Sequence, residues 1–110
     1  MTVIRTRYVS LGVPAAPVLA GLREALAAEA RFIQFQDAAD GFSCRYRPPL
    51  WPLVLSTAVV VSSVGGEGSA GLEVRTISQR FVTDDLFKAY DRILDRVAAL
   101  ALDVVGTLTH

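Results

Sequence analysis

Residues 32–47 read FIQFQDAADGFSCRYR. From Phe32 to Asp37 the pattern has period two, with Ile33 and Phe35 together on one face. From Phe42 to Arg47 it returns, with Phe42, Cys44 and Tyr46 on one face and Arg45 and Arg47 on the other. Alternation of this kind reads as β-strand. Asp37-Ala38-Ala39-Asp40-Gly41 between them reads as a turn, with Gly41 expected to supply the positive φ of a bulged hairpin. Two strands joined by so short a turn are antiparallel neighbours.

Downstream, Pro48-Pro49-Leu50-Trp51-Pro52 interrupts the second of these strands. Leu53 to Val64 is a further strand and the most apolar one. The glycine-rich run from Gly65 to Gly71 reads as a flexible hairpin loop, and Leu72 to about Phe81 as the last strand. A helix follows. Thr83 or Asp84 can cap it, and Asp84 and Asp85 suit the positive end of its dipole. Leu86, Tyr90, Ile93, Val97, Leu100 and Val104 recur at steps of four and three, with Phe87, Leu94 and Ala101 widening the stripe. Gly106 is the expected stop.

Upstream, Val3 to Leu11 reads as a strand with Ile4, Thr6 and Tyr8 on one face and Arg5 and Arg7 on the other. Pro17 fits the first turn of a helix running to about Arg31, with Leu19, Leu22, Leu26 and Ala30 as its apolar stripe. No linker divides the chain, so residues 1–110 are expected to form a single α+β domain. The element order is β-α-β-β-β-β-α. The expected architecture is a mainly antiparallel five-stranded sheet with two helices packed on one face. This order resembles the TATA-box-binding-protein-like superfold. More distantly, it resembles the helix-grip fold of lipid- and polyketide-binding domains. The resemblance lies in the order of elements, carries no family motif, and transfers no functional residue.

Eleven basic residues balance eleven acidic ones, which removes the strongly basic footprint of a general nucleic-acid binder. Cys44 is the only cysteine, so no internal disulfide forms, and its alternating surroundings place it as a small buried hydrophobe. The N-terminus loosely imitates an export signal, but Gly12, Pro14 and Pro17 break its apolar part, and Arg23 and Glu24 follow at once. Pro48 to Gly66 is uncharged, yet its three prolines and valine-rich middle suit a buried strand better than a membrane helix. The expectation is a cytoplasmic protein with no membrane partner.

The residues that could carry chemistry are few. The single histidine is His110, the last residue, so no nucleophile–histidine pair and no zinc ligand set is expected. Asp37 and Asp40 lack the further oxygen ligands of a calcium loop. The glycines at 65, 66, 68 and 71 lack the lysine of a phosphate loop. No cofactor is expected, and the chain reads as non-catalytic. Arg5, Arg7, Arg45 and Arg47, with Arg75 beside them, could form an anion patch on the open face of the sheet. The run Ala58-Val59-Val60-Val61 is apolar on both faces. With Leu50 and Trp51 just upstream, Val59, Val60 and Val61 therefore mark an expected interface, most simply of a homodimer. The alternative is a carrier of a small apolar ligand, in a cavity lined by Phe35, Tyr46, Tyr90 and Leu94.

Overall fold

A computed structural model of the chain describes residues 2–47, 57–64, 71–79 and 84–109. The elements are β1 (Thr2–Ser10), α1 (Ala15–Ala27), β2 (Phe32–Ala38), β3 (Gly41–Tyr46), β4 (Thr57–Val64), β5 (Gly71–Gln79) and α2 (Asp84–Leu108). The order is the expected one. All five strands form one antiparallel sheet in the spatial order β1-β5-β4-β3-β2. The first strand thus returns to pair with the last, and β1 and β2 are the two edges.

The core begins on the inner side of the two central strands. Val59 and Val61 of β4 and Leu72 and Val74 of β5 are fully buried. Val61 stands opposite Phe42 on one side and Val74 on the other, and Val59 opposite Cys44 and Thr76. Phe42, Cys44 and Thr76 are buried with them. Onto this surface α1 lays Ala15, Val18, Leu22 and Leu26, and α2 lays Tyr90, Ile93, Leu94, Val97 and Ala101. The first helix lies over β2, β3 and β4, the second over β5 and β1, and the two pack on each other. A Cβ on Gly21 would come within 2.7 Å of Val104 Cγ1, so the missing side chain permits their close approach.

Three local features differ from the sequence expectation. The first helix ends at Ala27 rather than near Arg31, because the chain turns there through Glu29 N–H to Leu26 O and Phe32 N–H to Glu29 O. The second runs through Gly106 to Leu108. A helical glycine costs only about 1 kcal/mol, and the Thr107 and Thr109 hydroxyls donate back to the carbonyls of Asp103 and Val105. Gly41 does not take the positive φ expected of it. Among the described residues that conformation belongs to Gly12 (71°) and Gln34 (56°). Gly41 is needed for space instead, since a Cβ there would lie 1.9 Å from the Val61 carbonyl oxygen.

Gln34 sits in a β-bulge. Between Ile33 and Gln36 the β2 register slips by one against β3, with Ile33 opposite Arg45 and Gln36 opposite Ser43. The extra residue separates Ile33 from Phe35, which a regular strand would keep together. Ile33 faces away from the helices, while Phe35 turns inward, 6.2 Å from the Phe42 ring and under the Arg23 guanidinium.

Replacing Leu94 with alanine should cost about 2–5 kcal/mol in urea unfolding, from lost burial plus a cavity. Thr76 Oγ1 is buried without a hydrogen-bond partner. Thr76→Val removes that group at nearly constant shape and should leave stability unchanged or raise it by about 1 kcal/mol. A large loss at Thr76→Val would show that the hydroxyl has a partner.

Candidate functional site

The helices cover one face of the sheet, and the strand register lays out the other. One row crosses all five strands: Ile4, Ile77, Ala58, Arg45 and Ile33. The next holds Thr6, Arg75, Val60, Ser43 and Gln36, and the third Tyr8, Glu73, Ser62, Gly41 and Ala38. Ile4 is 52% exposed and Tyr8 68%. Ile33, Ala58, Val60 and Ile77 are half-buried by their neighbours in the rows. Arg75 Nε lies 3.2 Å from Glu73 Oε1 in an ion pair, yet that N–H is shielded from solvent without a hydrogen-bond acceptor.

The same register divides the expected interface residues. Val60 is on the open face. Val59 and Val61, one residue either side, point into the core and are fully buried, so they are withdrawn from the interface. Leu50 and Trp51 lie outside the described residues. Ile4, Tyr8, Ile33 and Ile77 are also on the open face and were not among the expected residues. The signal for two of them was present, since Ile4 and Tyr8 share a face opposite Arg5 and Arg7. That face, however, would ordinarily be taken as the inward one.

The four arginines of the expected anion patch do not share a face. Arg5 and Arg7 point to the helix side, where Arg5 Nη2 donates to Asp91 Oδ1 at 2.9 Å and Arg7 pairs with Asp95. Two steps along a strand span about 6.6–6.8 Å, and four along a helix about 6 Å. The two pairs therefore form successive rungs between β1 and α2. Because β1 is an edge strand, the arginine stems lie along the flank of the core while their heads stay half in water. Arg45 is on the open face, and Arg47, just beyond β3, reaches the Ala30 carbonyl oxygen at 3.2 Å.

A notch opens on the helix side. The first helix, 13 residues, is about 20 Å long, and the second, 25 residues, about 37 Å. Where α1 stops, the near half of α2 has no described helix beside it, and a half-open cavity of about 480 Å³ forms over the ends of β2 and β3. Phe32, Tyr46 and Ile93 give it an apolar lining, the two rings edge-to-face with centroids 5.3 Å apart. Arg31, Arg92, Arg96 and Glu29 give it charge. Arg96 Nε donates to Glu29 Oε1 at 2.9 Å. That hydrogen bond, and then the carboxylate's charge, raises the Arg96 pKa above its ordinary value.

Of the four residues expected around a ligand cavity, Tyr46 alone lines this notch. Tyr90 and Leu94 are packed in the core, and Phe35 is held between Phe42 and Arg23. Among the described residues no three His, Cys, Asp or Glu side chains gather to hold a metal ion. Among the same residues, no helix is long and apolar enough to cross a membrane. No family model, curated protein or solved structure matches the chain, so its sites rest on their own geometry.

Cys44 faces the core, and desolvation there pushes its thiol up to about 12 from an ordinary 9.0. It is therefore a protonated packing group at neutral pH, not a nucleophile. In the unfolded chain the thiol ionises near pH 9, while in the folded chain it holds its proton until about pH 12. The folded state thus binds the extra proton in that window, and stability falls as pH rises through it. Urea unfolding between pH 7 and 10 should show this decline, and Cys44→Ala should flatten it. Equal slopes in the two proteins would assign the decline to other groups.

Proposed function

We propose that this chain is a non-catalytic interaction domain that self-associates, the open face of its sheet packing against a second copy. The observation that carries the reading is the apolar run Ile4–Ile77–Ala58 with Val60 in the row beside it, on a face where Arg45 separates this run from Ile33 and the Thr6–Arg75 row separates it from Tyr8. An apolar cluster on an open sheet face, rimmed by polar residues such as Thr6, Arg45 and Arg75, is the kind of surface that marks an interaction site.

Size and charge favour a second copy as the occupant. Five strands at about 4.8 Å spacing and rows about 6.8 Å apart give a face of roughly 500 Å² in projection. That is the right order for the ~800 Å² of accessible surface that each partner contributes to a standard interface. Twofold packing brings the patch onto itself, so one surface serves both partners. Glu73 and Arg75 neutralise each other within a copy, so the face does not repel its twin at that point. Glu73 beside Arg75, with zero net charge on the chain, speaks against a nucleic-acid partner. The order of elements resembles that of the TATA-box-binding-protein-like superfold, a likeness of architecture that does not fix function.

Light scattering at micromolar concentration should give about twice the 11.8 kDa chain mass. Val60→Asp and, separately, Tyr8→Asp should return the mass to that of one chain with an unchanged circular-dichroism spectrum. Leu102→Asp, on an exposed site of α2, should leave the dimer intact. A wild-type mass of one chain at every concentration removes this reading.

A further inference from the structure

We propose that the notch beside the end of α1 binds a small amphipathic organic anion, its apolar body against Phe32, Tyr46 and Ile93 and its oxyanion head between Arg31 and Arg92. The argument starts from how α2 distributes its charge. Asp91 and Asp95 are four residues apart, and so are Arg92 and Arg96. One residue along a helix is a turn of about 100°, so the acids and the arginines occupy different flanks. The acidic flank faces β1 and is engaged by Arg5 and Arg7. The basic flank lines the notch.

The charge there is unbalanced. Among the described residues Glu29 is the one acidic side chain lining the notch against three arginines, and it is committed to Arg96. Among the described residues Arg92 has no acidic partner, and Arg31 donates to a backbone carbonyl, that of Arg47, at 3.2 Å. Two guanidinium groups thus stand at the mouth of an apolar recess with no carboxylate of the described residues between them. A guanidinium presents paired donors that match the oxygens of a carboxylate or phosphate. The Glu29–Arg96 contact shows the match already made once in the same recess. The volume, about 480 Å³, falls within the range of small-ligand sites, and the half-open shape leaves an entry path. An inorganic anion would leave the Phe32, Tyr46 and Ile93 surface wet, and an uncharged hydrocarbon would leave the arginines unanswered. The occupant that satisfies both carries an apolar body and a single charged end.

The test titrates the ¹⁵N-labelled full chain with decanoate and with decyl phosphate, both below their micelle concentrations. Decanol, decyltrimethylammonium and inorganic phosphate serve as comparators. The amides of Ala30, Phe32, Tyr46, Arg92 and Arg96 should shift saturably with the two anions, whichever head binds tighter. Decanol and the cation should bind at least about tenfold more weakly, and inorganic phosphate should not saturate. Arg92→Gln and Arg31→Gln should each weaken decanoate by about tenfold, the scale of one hydrogen bond to a charged group. Arg23→Gln, which touches Asp37 outside the notch, should not. Equal affinity for decanol, unchanged binding in both notch variants, no saturable shift with either anion, or shifts confined to the open face around Ile4, Tyr8 and Val60 would each overturn the proposal.

Discussion

Val59, Val61, Leu72 and Val74 meet beneath two helices, and their burial sets the parity of the whole sheet. Side chains alternate along a strand, so once these four point inward, Ala58, Val60, Glu73 and Arg75 must point outward. The pairing register carries that choice outward to β3 and to β1. A slip of one residue in any strand would move its apolar set to the wrong face. The only such slip within the described pairings is the bulge at Gln34, and it brings Phe35 into the core where regular alternation would have left it outside.

Among the described residues helix covers one face alone, and two consequences follow. The first is an outer face with apolar side chains spread over three rows. It exists because β4 and β5 carry Ala58, Val60 and Ile77 on the side away from the core, and β1 adds Ile4 and Tyr8. The second is the notch, a product of unequal helix lengths. Had α1 continued to Arg31 as its alanine-rich composition suggests, its last turn would occupy the space beside Arg92 and Arg96. The turn through Glu29 stops it, and Glu29 then reaches Arg96.

The two surfaces lie on opposite sides of the sheet. A copy seated on the outer face would not cover the notch, and a ligand in the notch would not touch the outer face. Groups so separated, with no shared partner, act additively to a first approximation. The proposed association and the proposed ligand binding would therefore be independent of each other.

The order of elements, the antiparallel pairing and the stripe of α2 were legible in the sequence, because each depends on local periodicity. Tyr90, Ile93, Leu94 and Val97 recur at the helical repeat and are buried as that repeat requires. The burial of Cys44 was legible for the same reason, from its place between Phe42 and Tyr46. What periodicity cannot supply is which of two faces is the inner one when both carry apolar side chains. In β1 it separated Ile4, Thr6 and Tyr8 from Arg5 and Arg7 correctly, but hydrophobicity alone would turn the first set inward. The tertiary structure turns the arginines inward instead, since Asp91 and Asp95, some 86 and 88 residues away in sequence, stand ready to receive them. The notch likewise arises where the end of one helix, the middle of another and two strand termini converge. No local pattern records such a meeting, and only the folded chain brings Arg31, Tyr46 and Arg92 to one place.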